Sequence, residues 1–223
     1  MPTISNIKLI CFDLDGTLVN SVPDLTLALN AMLDEFNLAG CEDNDVKNWV
    51  GNGIPKMVER ALDHAAKHDV GKTYFEQALA SFEKHYEHYL NTASGLYPQV
   101  ADTLQKLHSK GYKTALVTNK AEQFLPELLK FFAIAEYFDL LLGGDSLAKN
   151  KPDPMQVDFA CEHFCVTKSE TIMIGDSRND ILAGQNANVK TIALTYGYNY
   201  GEPISLLNPD YIINEFNELL DLL

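Results

Sequence analysis

The sequence predicts an α/β fold: a doubly wound, parallel-sheet (Rossmann-like) core with an inserted α-helical cap. Three observations carry this. Short apolar runs rich in Leu, Ile and Val recur at residues 9–12, 114–117, 171–174 and 191–194, with a weaker one at 140–142. Runs of that length suit strands buried on both faces. Helical patterns separate them, and strands alternating with helices mark a parallel sheet. The stretch 22–91 breaks the alternation, holding amphipathic helical patterns and no comparable strand run.

The run Leu9-Ile10-Cys11-Phe12 suits a strand buried on both faces and stops at a carboxylate, Asp13. The insert reads as helices over 25–36, 45–50, 55–67 and 73–90. Its joints fall near 20–23 and 93–98, where Pro23, Gly95 and Pro98 punctuate the chain. The division that follows is a core of residues 1–19 and 95–223 and a cap of 20–94. In the core, a helix over 100–109 ends at Gly111, a common helix-stop residue. Further helices are expected at 122–132, 155–165 and 181–186, and a short amphipathic one at 215–223. No internal repeat or low-complexity segment interrupts this order.

Charge narrows the function. The 223 residues carry 17 Lys+Arg against 31 Asp+Glu, a formal net charge of -14. Nucleic-acid binding needs a basic footprint, and anionic membrane surfaces repel such a chain. No apolar run approaches the ~20 residues of a membrane span, and no signal peptide is visible. Cys11, Cys41, Cys161 and Cys165 match no zinc spacing and read as reduced thiols of a cytoplasmic protein. An anionic substrate fits only where local cations or a metal offset the carboxylates.

Asp13-Leu14-Asp15-Gly16-Thr17 directly follows the first strand. In an open parallel sheet ligands bind at the carboxyl ends of strands, so two carboxylates there can face one site. The next strand ends in Thr118-Asn119, whose hydroxyl and N–H groups suit a phosphate, although Thr118 also reads as a plain N-cap. Lys151-Pro152-Asp153-Pro154 offers a point charge or a solvated loop. The strand at 171–174 leads into Gly175-Asp176-Ser177-Arg178-Asn179-Asp180, a second acidic turn at a strand end or an acidic helix start. In the insert, Gly51-Asn52-Gly53 reads either as a loop facing the site or as a helix–helix turn. Arg60 could bind a substrate carboxylate and reads more simply as a solvated helix face. His85 and His88 read as part of a surface helix.

Taken together, DLDGT, VTNK, KPDP and GDSRND, in that order, resemble the haloacid dehalogenase-like hydrolase superfamily. The likeness spans residues 13–180 and, with the insert, almost the whole chain. Dehalogenating members lack the second motif carboxylate, present here as Asp15, so the resemblance points to phosphatases. FDLDGTLVNSVPDL, WVGNG and GYNYGEP are similar to the bacterial phosphoglycolate phosphatase family. Asn20 stands where that family usually has aspartate, and Asp153 where it often has histidine.

The resemblance implies hydrolysis of 2-phosphoglycolate to glycolate and phosphate through an aspartyl-phosphate. Asp13 is the implied nucleophile and Asp15 the acid and base. Mg²⁺ is implied on the Asp13 side chain, the Asp15 carbonyl and the Asp176 side chain, with Asp180 behind them and Thr17 orienting Asp15. Thr118, the Asn119 N–H and Lys151 are implied phosphate ligands, and Gly51, Asn52 and Gly53 the cap loop reading the leaving group. The alternatives are a related small-molecule phosphatase for sugar phosphates, nucleotides or pyrophosphate, or a phosphoglucomutase-type phosphotransferase. The implied partner is a small phosphorylated metabolite, with no nucleic acid or membrane, and the sequence leaves monomer and homodimer open.

Overall fold

A computed structural model describes residues 3–66 and 72–223. The chain enters through β1 (Leu9–Phe12) and the two-residue β2 (Val19–Asn20). Helices α1 (Val22–Glu35), α2 (Asp43–Lys47), α3 (Ile54–Ala66) and α4 (Lys72–Tyr89) follow. It returns through β3 (Gly95–Leu96) and α5 (Val100–Ser109) to β4 (Lys113–Val117), α6 (Leu125–Phe131) and β5 (Leu140–Leu142). Then come α7 (Met155–His163), β6 (Thr171–Gly175), α8 (Arg178–Asn186), β7 (Lys190–Leu194), β8 (Tyr211–Ile213) and α9 (Leu219–Leu222).

Six strands form one sheet in the order β5-β4-β1-β6-β7-β8, every pair parallel. Side-chain alternation explains why β1 lies in the middle. Ile10 and Phe12 face one apolar layer, with Leu104 and Leu107 of α5 and Leu128 and Leu129 of α6. Leu9 and Cys11 face the other, with Val157 and Ala160 of α7 and Ala183 of α8. Both faces are therefore covered, as the unbroken apolar runs require. After β1 the chain builds outward through β4 and β5, then crosses back to β6 on the other side. That reversal opens a crevice at the carboxyl ends of β1, β4 and β6, where α/β sheets bind ligands.

The helices between β2 and β3 bury a core of their own. Leu25, Leu29 and Met32 of α1 pack with Met57, Val58 and Leu62 of α3 and Phe82 and Tyr86 of α4. Two residues from outside the insert, Phe124 and Tyr198, join that cluster. The outgoing and returning strands pair antiparallel, Val19 with Leu96 and Asn20 with Gly95. Asp24 fixes this joint. Its buried carboxylate accepts the N–H groups of Asn91, Ala93 and Ser94 at 2.8, 2.6 and 3.1 Å. We predict that Asp24→Ala, which removes the acceptor for three backbone N–H groups at this joint, lowers stability by about 2 kcal/mol in urea titration.

The sequence and structure differ mainly at ends of elements. The expected helix at 122–132 begins as a 3-10 turn, Glu122–Phe124, before α6. The expected helix at 181–186 starts three residues earlier, because Ser177 and Asp180 form a capping box. The expected end of α3, Lys67, lies outside the described residues. The tail at 215–223 divides into a 3-10 turn, Phe216–Glu218, and the single-turn α9. Edge strand β8 is absent from the sequence reading, being three residues long and hemmed by Asn208-Pro209-Asp210 and Asn214.

Candidate active site

The carboxyl ends of β1, β4 and β6 bring Asp13, Thr118 and Asp176 to one crevice. Lys151 arrives ahead of α7, and Asp180 sits in the first turn of α8. Asp13 is anchored by its own N–H, which donates to the Ile174 carbonyl at 3.0 Å. Gly16 turns the chain at φ +93°, and a Cβ there would stand 2.3 Å from an Asp176 oxygen. A side chain at that position would thus strain the backbone and strike the site.

Asp13, Asp176 and Asp180 present oxygens within 4.8 Å of one another, and all three are buried. Lys151 reaches into this cluster, with Nζ 2.7 Å from Asp13 Oδ1 and 2.6 Å from Asp180 Oδ1. Burial drives the Asp13 pKa up; the Asp180 charge adds to this and Lys151 opposes it, leaving Asp13 pushed up to about 7. Asp176 rises for the same reason, burial first and then the Asp180 and Asp13 charges, against hydrogen bonds from Thr17 and Tyr198. The Lys151 pKa ends up raised, its carboxylate neighbours outweighing burial. Negative charge exceeds what one lysine offsets, and the donors are hard oxygens. The residues therefore fit a divalent cation of the Mg²⁺ type.

One expected contact needs correction. Thr17 does not orient Asp15: its hydroxyl donates to Asp176 Oδ1 at 2.6 Å, and the Tyr198 N–H donates to Asp176 Oδ2 at 2.5 Å. The Asp15 carboxylate stands apart from the acidic cluster, with Lys120 Nζ 3.2 and 3.4 Å from its two oxygens. Asp180, expected behind the metal ligands, holds Lys151 Nζ at 2.6 Å, and one of its oxygens lies within 4.8 Å of those of Asp13 and Asp176. It also accepts the Ser177 N–H at 2.9 Å and the Ser177 hydroxyl at 2.7 Å.

Thr118, Asn119 and Lys151 all line the pocket, with Asp13 and Asp15. The Asn119 side chain ties Lys151 to the insert, since Nδ2 donates to the Lys151 and Gly51 carbonyls at 2.8 and 2.7 Å. Asn179 Nδ2 also donates to Gly51 O, at 2.8 Å. The Gly51-Asn52-Gly53 loop therefore covers the crevice, with Gly51 and Gly53 on the lining. Gly51 has φ +110°, and a Cβ there would meet the Tyr200 hydroxyl at 2.8 Å. Asn52 points elsewhere: its Oδ1 accepts from Arg60 Nη2 at 2.8 Å and the Tyr200 hydroxyl at 3.0 Å. Arg60 is no solvated helix face either. It also donates to the Trp49 carbonyl at 2.7 Å and lies over the Tyr200 ring. Arg60 and Asn52 shape the loop, and the loop offers its backbone.

Sequence reasoning missed Lys120 and Tyr86. Lys120 closes the VTNK string, and Tyr86 lies on the α4 stripe Ala78, Phe82, Tyr86, spaced i, i+4, i+8. His85 and His88 flank Tyr86 on the outer side, where His85 Nε2 meets Glu35 Oε1 at 2.9 Å.

A family model described as haloacid dehalogenase-like hydrolase matches residues 10–194, the span containing every residue of the acidic cluster and the pocket lysines. The chain belongs to the haloacid dehalogenase-like hydrolases. Among relatives in this family, phosphoglycolate phosphatase from Aliivibrio fischeri is 43% identical over 220 residues, covering 98% of this chain and 97% of the relative. Phosphoglycolate phosphatase from Haemophilus influenzae is 44% identical over 220 residues, covering 97% and 98%. The crystal structure of a predicted phosphoglycolate phosphatase from Haemophilus somnus superposes with a TM-score of 0.95 at 39% identity, covering 98% of each chain.

In this haloacid dehalogenase-like hydrolase a second glycine holds the acidic cluster open. A Cβ on Gly197 would sit 2.2 Å from Asp176 Oδ2. Gly197→Ala is therefore expected to displace Asp176 and lower phosphatase kcat/KM by roughly 100-fold, since misplacement by an ångström costs about that much. A steady-state assay at several Mg²⁺ concentrations checks it.

Proposed function

We propose that the protein is a Mg²⁺-dependent phosphatase that hydrolyses 2-phosphoglycolate to glycolate and phosphate through an aspartyl-phosphate on Asp13. The observation that carries this is the separation of two carboxylates from one motif. Asp13 sits in the acidic cluster on Lys151, and Asp15 sits outside it on Lys120. Neighbouring carboxyls in different surroundings can take different roles. Asp13 would attack phosphorus, and Asp15 would give its proton to the leaving oxygen and then take one from the hydrolytic water. Thr118, the Asn119 N–H and Lys151 would hold the other phosphoryl oxygens. Asp13, Asp176 and the Asp15 carbonyl would hold the metal, with Asp180 fixing Lys151. Bound there, Mg²⁺ would supply the charge compensation that lets a phosphate dianion approach so many carboxylates.

The names of the relatives support the substrate. The pocket as it stands leaves about 40 Å³ of free space, enough for a few waters. We read residues 20–94 as a cap that swings away from a core of 1–19 and 95–223 to admit the ester, then closes to exclude bulk water. Free cysteines, three buried and Cys165 exposed, support a reducing, cytoplasmic setting.

A substrate panel tests the proposal. Purified protein with Mg²⁺ should favour 2-phosphoglycolate over sugar phosphates, nucleotides, pyrophosphate and an aryl phosphate. Equal rates across the panel would refute the assignment, and transfer to a sugar phosphate faster than phosphate release would favour a mutase. EDTA should stop turnover and added Mg²⁺ restore it. Full activity in metal-free buffer would rule out the proposed ion.

A further inference from the structure

Two lysines line the pocket, and the proposed reaction uses one of them. Lys151 is saturated, held at 2.7 and 2.6 Å between two carboxylates. Lys120, 6% exposed, has one carboxylate partner, Asp15, at 3.2 and 3.4 Å. Charged N–H to carboxylate bonds normally close to about 2.7–2.9 Å. The Lys120–Asp15 contact is slack by comparison. The short partner of Lys120 is the Tyr86 hydroxyl at 2.5 Å, and Nζ also lies 4.7 Å from the Tyr86 ring centre. Phe124 backs that ring edge-on at 5.0 Å. Tyr86 and Phe124 thus aim a buried ammonium at the pocket without neutralising it.

Among the described residues, the rest of the lining supplies no other countercharge. Leu25, Val50, Ile54 and Met57 form its apolar part, and Arg60 is committed to Trp49 and Asn52. The leaving group of 2-phosphoglycolate carries a carboxylate, and burying it there unpaired is strongly unfavourable. Its carboxylate carbon is two bonds from the ester oxygen that Asp15 serves. A cation touching the Asp15 carboxylate is therefore within reach of a carboxylate so placed. On a longer leaving group, a charge at the far end would fall beyond it.

We propose that Lys120, positioned by Tyr86 of α4, is the specificity-determining residue that binds the carboxylate of the two-carbon leaving group. This rests on the 2-phosphoglycolate reading above and deepens it. Tyr86 belongs to the helical insert, so the recognition is complete only with α4 docked on the crevice.

The test compares 2-phosphoglycolate with ethyl phosphate, which has a methyl group in place of the carboxylate. Lys120→Met should lower kcat/KM for 2-phosphoglycolate on the order of 100-fold and for ethyl phosphate by less than tenfold. Tyr86→Phe, which keeps the ring, should shift the same ratio in the same direction by a smaller factor. Inhibition of ethyl phosphate turnover by glycolate should weaken in both variants. An equal loss on both esters, or an unchanged ratio, would overturn the proposal. Should Lys120→Met fail to fold, an unchanged ratio in Tyr86→Phe would overturn it alone. A parent protein showing no preference for 2-phosphoglycolate over ethyl phosphate would instead refute the substrate reading itself.

Discussion

Asp13→Asn is expected to abolish phosphate release and, at the same time, to stabilise the metal-free protein. The loss follows from chemistry. An amide cannot form the aspartyl-phosphate, and removing a nucleophile from a concerted site costs on the order of 10⁴-fold or more. The gain follows from electrostatics. Asp13 is buried beside Asp180 and Asp176, and its pKa is pushed up from 3.8 to about 7. A carboxyl whose pKa is higher folded than unfolded binds its proton more tightly in the folded state. Ionising it therefore works against folding, and stability falls as pH rises from about 4 through 7. Asparagine removes that liability but gives up the ion pair with Lys151. The net gain at pH 8 is expected to be about 1–3 kcal/mol. Thermal midpoints measured in EDTA from pH 5 to 8 should fall for the parent and stay flatter for the variant. Mg²⁺ should flatten the parent's profile, because a bound cation favours the ionised carboxylate. An Asn variant that melts below its parent at pH 8 in EDTA would count against this charge balance.

The same physics explains what could be read from the chain. The sheet was legible because β1, β4, β6 and β7 are buried on both faces, which forces unbroken apolar runs. The carboxylates were legible because each follows such a run, and strand ends converge in this topology. Side-chain direction was not. Thr17 lies two residues from Asp15, yet its hydroxyl reaches Asp176, 159 positions away, because Gly16 turns the chain towards β6. Asn52 and Arg60 looked like ligand-binding candidates or solvent-facing groups. Their actual partners, Tyr200 and Trp49, are fixed by how the loop folds over the core. Tyr86 was hidden between two histidines, where a polar run masks one buried position per helical turn. Lys120 was hidden by composition, because a lysine after a strand reads as solvated unless the helices above it are known. Such contacts depend on residues far apart in the chain, and a local pattern carries no trace of them.

Asp15→Asn is expected to cost less than the nucleophile and to leave a kinetic trace that identifies its role. General acid–base assistance is typically worth 10²–10⁴-fold, so 2-phosphoglycolate turnover should fall by about that much. The first step with this substrate expels an alkoxide, which needs the proton from Asp15. A 4-nitrophenyl ester expels a stable phenolate, which does not. With the aryl ester the variant should still be phosphorylated on Asp13 at a useful rate. The second step then stalls, because water reaching the aspartyl-phosphate has lost its base. The expected record is a rapid burst of nitrophenolate approaching one per active site, followed by slow steady-state release. The parent should show no such burst under the same conditions. The variant's fold should hold, since Asp15 lies outside the buried acidic cluster and Lys120 keeps the Tyr86 hydroxyl as a partner. A variant that lost both esters equally and showed no burst would mean that Asp15 supports phosphorylation by something other than protonating the leaving group, and would refute its role as the acid. One that kept near-parental rates on 2-phosphoglycolate would assign the proton to another group, and Lys120, which touches the same carboxylate, would be the next to examine.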